Sequence, residues 1–328
     1  MSRGNRGSFG GRCEQGTSDT VVISRRAYAL TGLVLVMLVW GSTYAVTKAA
    51  VREIPPLTLA VLRCLIAVSV LVPIAMARGG LLRLARPLPI APLIWMGFTG
   101  IALLTVGFNY GLIYGSATQG ALVYALGPAA VAVAAVLGLG EGLSGRRIAG
   151  IVLSVAGAAL VVVSGEMDRA APRPWLGAIC MFVGVVAWAY YTVIAKRLAD
   201  ADQVVVIAWV SIIGTAMLLP FATVELLQSP TPRPTFAGWL GAVFLGAVAS
   251  ALAYVVYSRA LRELDASVVG AYFTLDPLVG VGTAVVFLGE ALTAGQAAGG
   301  VIALVGMWLA ASSRASKRSK AILTGGIP

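Results

Sequence analysis

The sequence contains ten apolar segments of about 20 residues, each long enough to cross the roughly 30 Å hydrocarbon core of a bilayer as a helix. They lie at 28–50, 57–77, 91–113, 118–139, 146–165, 175–196, 203–224, 237–259, 267–288 and 294–312. Only 11% of the 328 residues are charged, whereas a soluble domain has about 25%. The alternating pattern of a membrane β-barrel is absent. The sequence therefore predicts an all-α polytopic membrane protein with ten transmembrane helices.

The distribution of basic residues predicts the orientation of these helices. With the N-terminus inside the cell, 18 of the 24 Lys and Arg residues fall in cytoplasmic loops and tails. This bias is the one expected of a membrane protein, in which basic loops stay in the cytoplasm. The net charge of +11 is thereby explained without a nucleic-acid partner. We expect a multi-pass protein of the cell (inner or plasma) membrane with both termini cytoplasmic.

The two halves of the chain resemble each other at an offset of 148–149 residues. "LGPAAVAV" around Pro128 matches "LDPLVGVG" around Pro277, and "LGEGLSGRRIAG" matches "LGEALTAGQAAG". Each half holds five segments, so the second half is predicted to be inverted in the membrane. The chain then divides into a disordered basic cytoplasmic tail (1–27), a first five-helix repeat (28–166), a second five-helix repeat (175–313) and a basic cytoplasmic tail (314–328).

Several segments give the chain a family resemblance. "WGSTYAVTKAA" in the first span, "PPLTLAVLRCLIA" in the second and the paired "P…LGE…G" segments resemble the EamA-type transporters of the drug/metabolite transporter superfamily. The resemblance covers about residues 28–312. It implies a ten-helix secondary transporter, often an exporter of amino acids, their derivatives or other small metabolites. Nucleotide-sugar and triose-phosphate carriers share this architecture.

Asp276 is an acidic residue in the middle of an apolar run. It lies about 9 residues into its span and so roughly 14 Å deep, where an ionised Asp costs about 2.5–3.5 kcal/mol. Its counterpart in the first half is Gly127, so the repeat does not require an acid there. We interpret Asp276 as a proton-coupling residue that faces a cavity. The alternative is an N-cap of the half-helix that begins at Pro277.

Pro128 and Pro277 occupy matched positions in the two halves. Each removes a helical hydrogen bond and frees the carbonyl group four residues earlier. We predict that both are hinges; a packing kink without a gating role is the alternative.

Aromatic and polar residues in the spans predict a substrate site. Trp40, Tyr44 and Lys48 share one helical face, and Trp188, Thr192 and Lys196 repeat that pattern. Aromatic faces with few polar tips suit a partly apolar organic solute, while buried helix contacts are the alternative. Both lysines lie near span ends, where we expect them to act as interfacial anchors. The predicted substrate-binding residues are Trp40, Tyr44, Asn109, Tyr110, Tyr124, Trp188, Tyr191, Tyr254 and Tyr272.

Three further features have structural as well as functional interpretations. Arg63 is an intramembrane charge, and such residues are functional candidates by default, although it could instead snorkel or bind helix carbonyls. Glu141 and Glu290 end their spans beside expected helix N-caps, which we interpret as structural turns. Gly295 and Gly299 form a GxxxG motif, which serves close helix packing or a homodimer contact.

The residue types present argue against an enzyme. The chain has no histidine, and 12 of its 13 acidic residues lie in tails, loops or span ends. We therefore predict no metal, no cofactor, no catalytic residue and no nucleic-acid partner. The prediction is an alternating-access transporter in the lipid bilayer that exports small organic metabolites, with proton coupling at Asp276. Alternatives are an importer or exchanger of phosphorylated or sugar metabolites and, less favoured, an integral-membrane enzyme.

Overall fold

The computed structural model describes residues 11–78, 90–139, 144–164, 171–198, 201–228, 233–263 and 272–312. Within these ranges the secondary structure is helical and includes no β-strand. The helices are α1 (Gly11–Ala50), α2 (Pro56–Ala77), α3 (Ile90–Gly97), π1 (Phe98–Leu103), α4 (Leu104–Tyr114), α5 (Ala117–Tyr124), α6 (Gly127–Leu139), α7 (Gly145–Ser164), α8 (Pro174–Arg197), α9 (Gln203–Gln228), α10 (Phe236–Val243), π2 (Phe244–Leu252), α11 (Ala253–Glu263), α12 (Leu275–Leu288) and α13 (Ala294–Ser312).

Eight helical stretches of the described chain are long and apolar enough to span a membrane. Two further apolar helices, Leu275–Leu288 and Ala294–Ala310, are shorter. They correspond to the ninth and tenth predicted spans, and residues 267–271 of the ninth lie outside the described residues. The eight are Ala27–Ala50, Pro56–Ala77, Ile90–Tyr114, Ala117–Gly138, Gly145–Ser164, Pro174–Arg197, Gln203–Gln228 and Phe236–Tyr257.

Large apolar side chains lie on the outside of the bundle. Phe182, Phe221, Val286 and Trp308 are each at least half exposed. Exposing such an apolar surface to water is unfavourable, whereas contact with the hydrocarbon of a membrane is not. Helices also satisfy their own backbone hydrogen bonds in lipid. Together with the eight long apolar helices, this surface identifies a multi-pass membrane protein.

The first helix begins earlier than the predicted span. Helix α1 starts at Gly11, so residues 11–27, which we predicted as part of a disordered tail, are helical in the structure. This stretch contains no proline, so its backbone can continue the apolar helix that follows. Residues 1–10 and the predicted tail at 314–328 lie outside the described residues.

Helices α7 and α13 approach each other through small residues. A Cβ atom added at Gly157 would lie 2.4 Å from the backbone nitrogen of Ala303 and 2.6 Å from the carbonyl oxygen of Gly299. One added at Gly306 would lie 2.3 Å from the backbone nitrogen of Ser154. The backbones touch because no side chain separates them. The GxxxG motif therefore serves packing within the chain, the first of its two expected uses.

The helix that holds each matched proline is interrupted just before it. Helix α5 ends at Tyr124, a turn follows, and Pro128 lies in the first turn of α6. In the second half a turn at Phe273 and Thr274 precedes α12, whose first turn contains Pro277. Proline is tolerated in a first turn because its missing N–H has no helical acceptor there. The breaks place irregular backbone at the same point of both halves.

Three glutamates accept hydrogen bonds from the N-termini of helices that are distant from them in the sequence. A carboxylate is favoured there by the unpaired N–H groups and by the helix dipole. These bonds tie together segments that are distant in sequence. Glu53 accepts from the Thr235 N–H at 2.7 Å, Glu225 from the Thr58 N–H at 2.7 Å, and Glu290 from the Ala117 N–H at 2.9 Å and the Thr118 N–H at 2.8 Å.

Candidate functional site

Asp276 lies in the first turn of α12, but its carboxylate does not cap that helix. The N-cap is Thr274, which makes no side-chain cap hydrogen bond. The Asp276 Oδ2 atom instead accepts a hydrogen bond of 3.0 Å from the hydroxyl of Tyr44 on α1. Tyr44 is only 2% exposed. The capping alternative is therefore wrong, and the acid makes a polar contact between the two halves of the chain.

Tyr44 also belongs to a group of aromatic rings beside the acid. Its ring centroid lies 5.1 Å from that of Phe108 and 5.8 Å from that of Tyr124. The Tyr124 hydroxyl is buried and has no hydrogen-bond partner among the described residues. A buried hydroxyl without a partner costs free energy, which a bound polar group would relieve.

A second set of rings surrounds Trp40 and is called here the aromatic cluster. The Trp40 ring centroid lies 5.3 Å from that of Tyr254, 5.2 Å from that of Tyr257 and 6.4 Å from that of Trp188. Such separations are typical of tilted and edge-to-face aromatic pairs. The cluster combines apolar ring faces with the hydroxyl groups of its tyrosines. Its members are Trp40, Trp188, Tyr191, Tyr254, Tyr257 and Phe273.

Segment π2 positions two side chains of the site. Its Ala249 carbonyl accepts the indole N–H of Trp40 at 3.0 Å, and its Ser250 hydroxyl accepts the Nε–H of Arg63 at 2.6 Å. A π-helical turn shifts the backbone out of the i→i+4 register and is frequent at functional sites. One turn of π2 thus fixes the orientation of both a cluster ring and the intramembrane guanidinium.

Arg63 is half-buried on α2 and has no carboxylate within salt-bridge distance in the described ranges. Its hydrogen bond to Ser250 therefore orients the guanidinium without neutralising it. This geometry differs from the carbonyl-binding alternative, since among the described residues Arg63 donates to a side-chain hydroxyl on π2 and to no helix carbonyl.

Two predicted binding residues, Asn109 and Tyr110, make contacts away from the aromatic cluster. The Asn109 amide donates to the Pro56 carbonyl at 2.8 Å and so secures the start of α2. The Tyr110 ring stacks on Tyr114, with centroids 6.2 Å apart. A third, Tyr272, packs like Trp40 against an apolar group that includes Leu33.

The cluster contains residues that the predicted substrate-binding set omits. Tyr257 follows Tyr254 by three positions and so shares its helical face, a spacing visible in the sequence. Phe273 precedes Pro277 in the helix break, where its position depends on the kink. Nothing in the sequence indicated Ser250, because its contact with Arg63 depends on the π-helical turn.

The two lysines differ from each other in the structure. Lys48 is only 6% exposed and donates to the carbonyl oxygens of Leu112 at 2.6 Å and Gly115 at 2.5 Å. It thus satisfies carbonyls at the end of α4 and does not snorkel, contrary to our expectation. Lys196 is exposed at the end of α8.

The expected helix caps are present. The Thr293 hydroxyl accepts the Gln296 N–H at 3.1 Å while the Gln296 side chain accepts the Thr293 N–H at 3.0 Å, a capping box. The Ser144 hydroxyl accepts the Arg147 N–H at 3.3 Å. Glu290 caps α5, and Glu141 lies outside the described residues.

Comparison with known proteins gives a consistent set of matches. The model of the EamA-like transporter family matches the chain twice, at residues 27–163 and 175–312. An "uncharacterized transporter" of Archaeoglobus fulgidus is 31% identical over 84% of this chain and 95% of its own length. A "probable terminal-alkyne amino-acid exporter" of Streptantibioticus cattleyicolor is 27% identical over 90% and 98% of the two chains.

Two further matches concern location and fold. An "uncharacterized inner membrane transporter" of Escherichia coli, YedA, is 28% identical over 74% of this chain and 78% of its own length. A solved crystal structure aligns with 87% of this chain and 96% of its own, with a TM-score of 0.62 and 22% identity. The latter similarity shows a shared fold.

Proposed function

The chain belongs to the EamA-like transporter family, and from this we propose that it is a secondary transporter that exports small organic metabolites by alternating access. Amino acids and their derivatives are the substrates we favour, because one relative is named as an amino-acid exporter. The aromatic cluster supports this choice, since apolar ring faces with a few polar groups suit such solutes.

The observation that carries the proposal is the hydrogen bond of 3.0 Å between Asp276 and Tyr44. An acidic side chain at membrane depth is costly and marks proton relays in transporters. In its ionised form Asp276 attracts the Tyr44 hydroxyl and so links α12 to α1. Uptake of a proton removes that charge, weakens the link and favours the other access state. Coupling to a proton gradient follows if each state exposes Asp276 to a different side.

Alternating access requires two similar halves that can each adopt the conformation of the other. We propose that the chain has ten spans arranged as two inverted repeats, 28–166 and 175–313. The glycine contacts support this arrangement. Adding 149 to the first half exchanges Gly150 with Gly299 and Gly157 with Gly306. The distance from a Cβ atom added at Gly157 to the Gly299 carbonyl oxygen, 2.6 Å, then corresponds to that from a Cβ atom added at Gly306 to the Gly150 carbonyl oxygen, 2.7 Å. Such a reciprocal contact is what a two-fold relation between halves would produce.

In this proposal the two helix breaks act as the hinges of the conformational change. Pro128 and Pro277 interrupt matched spans, and irregular backbone at membrane depth is tolerated where it lines a cavity. We propose that rotation about these two breaks opens the site alternately to each side. Both termini would be cytoplasmic in the cell membrane, in keeping with the basic residues of the loops.

The test is Asp276→Asn. Cells that overproduce the chain are screened for efflux of amino acids and drug-like compounds, and the exported compound is then used in proteoliposomes. We expect transport driven by a pH gradient to fall at least about tenfold in this variant, since Asn cannot bind and release a proton. Expression and elution volume should be unchanged.

Glu263→Gln serves as the matched control, because Glu263 is exposed at the end of α11. It removes one acidic charge without touching the site. Normal gradient-driven transport by Asp276→Asn would refute proton coupling at this residue.

A further inference from the structure

Arg63 raises a separate question about what the site recognises. An arginine inside a membrane protein is normally compensated by a carboxylate or by helix carbonyls. In the described part of the chain, Arg63 donates one hydrogen bond, from Nε to Ser250 at 2.6 Å, and pairs with no acid. Its two terminal nitrogens donate to none of the described residues. The guanidinium is held in a fixed orientation, and its terminal nitrogens can donate hydrogen bonds to a ligand.

The backbone around Arg63 explains how it is held. Helix α2 packs so closely on π2 that a Cβ atom at Gly246 would lie 2.7 Å from the Arg63 carbonyl oxygen. Ser250 lies one turn further along π2 and fixes the guanidinium through Nε. Since Nε is occupied, the edge formed by the two terminal nitrogens is the remaining donor face. That edge matches the two oxygens of a carboxylate.

The neighbours of Arg63 connect it to the rest of the site. Tyr254, a member of the aromatic cluster, lies within electrostatic range of Arg63. The unpartnered hydroxyl of Tyr124 lies within range of both Arg63 and Asp276. Trp40 is anchored on the carbonyl of Ala249, the residue before Ser250. Through π2 the cationic group therefore lies beside the aromatic cluster.

We propose that Arg63 binds the carboxylate of the transported solute while the aromatic cluster holds its apolar part. The inference rests on the proposed function and deepens it, because it assigns the substrate class: organic carboxylates with an apolar body. A guanidinium with no acid of its own would favour a negatively charged group and disfavour a solute of the same shape that lacks one.

Calorimetric titration of the full chain in lipid nanodiscs tests this with three probes of similar shape. L-phenylalanine and 3-phenylpropionate carry a carboxylate, whereas L-phenylalaninamide does not. We expect both carboxylates to bind about tenfold or more tightly than the amide, as for a hydrogen bond to a charged group. Arg63→Gln should abolish this preference by weakening the carboxylates and leaving the amide unchanged. Arg63→Lys, which keeps the charge without the planar fork, should retain only part of it.

Arg52→Gln is the matched control, since Arg52 is exposed beyond the end of α1 and should leave all three affinities unchanged. Equal binding of the amide and the carboxylates by the native chain overturns the proposal, as does failure of both carboxylates to bind or a preference that survives in Arg63→Gln. The comparison within the native chain stands even if a variant fails to fold. Carboxylate preference without transport in proteoliposomes would contradict the proposed function alone, and transport without that preference would contradict the role of Arg63 alone.

Discussion

Trp40 lies among the rings of Trp188, Tyr254, Tyr257 and Phe273 and donates a hydrogen bond to π2, so it links several members of the aromatic cluster to that segment. We expect Trp40→Ala to weaken the apparent affinity for the exported solute by about tenfold, because a central aromatic contact of a binding site is lost. The measurement is the concentration dependence of transport in proteoliposomes.

Trp239→Ala is the control for this prediction, since Trp239 is 49% exposed on α10. That variant should transport with unchanged affinity. If Trp40→Ala also shows an unchanged concentration dependence, Trp40 is not part of the cavity wall.

The sequence predicted single residues of the site better than their roles. The spacing of Trp40, Tyr44 and Lys48 placed them correctly on one helix, but each meets a different partner: the cluster, Asp276 and the α4 carbonyls. Four residues advance a helix by about 6 Å, so side chains on one face still meet different neighbours. Partners across the bundle depend on tertiary packing, which periodicity along one helix does not contain.

The close packing of α7 against α13 is expected to contribute to the stability of the helix bundle. Gly157→Ala should destabilise the protein by about 1–3 kcal/mol, because the new methyl group meets the backbone of α13, which cannot move aside alone. Denaturation of the purified protein in detergent measures this effect.

Gly282→Ala is the control, since a Cβ atom there has nothing within 4 Å. In that helix interior alanine should leave stability unchanged or raise it by up to about 1 kcal/mol. Equal effects of the two substitutions would contradict tight packing at Gly157.

The glutamates that cap distant helices lead to a second prediction about stability. Glu290 is 5% exposed and accepts two backbone N–H groups at the start of α5. Glu290→Ala should destabilise by about 1–3 kcal/mol, because those buried donors lose their acceptor. The same denaturation assay measures it, and Glu263→Ala on the exposed end of α11 should have little effect. A normal stability of Glu290→Ala would show that the cap is dispensable.

The sequence predicted where the helices lie, but it predicted only some of the places where they depart from regular α-helix. The apolar runs predicted ten spans, of which eight are long apolar helices in the described chain and two are shorter, and the prolines predicted the interruptions before α6 and α12. Segments π1 and π2 were not anticipated. Each contains a single hydroxyl residue among apolar ones, so no change in hydrophobic periodicity marks the wider turn.

The whole molecule is proposed to work as two five-helix units that face opposite ways in the bilayer. The matched first residues of α7 and α13 test this claim most directly, because Gly145 and Ala294 correspond at the offset of 149 and both are exposed. Each is replaced singly by cysteine in a chain whose Cys13, Cys64 and Cys180 are changed to alanine. A membrane-impermeant thiol reagent is then applied to intact cells and to inverted vesicles.

We expect Gly145→Cys to be labelled only in inverted vesicles and Ala294→Cys only in intact cells. Efflux of the exported compound by each variant verifies that the chain remains folded. Labelling of both cysteines from the same side of the membrane would contradict the inverted arrangement and the alternating-access mechanism that depends on it.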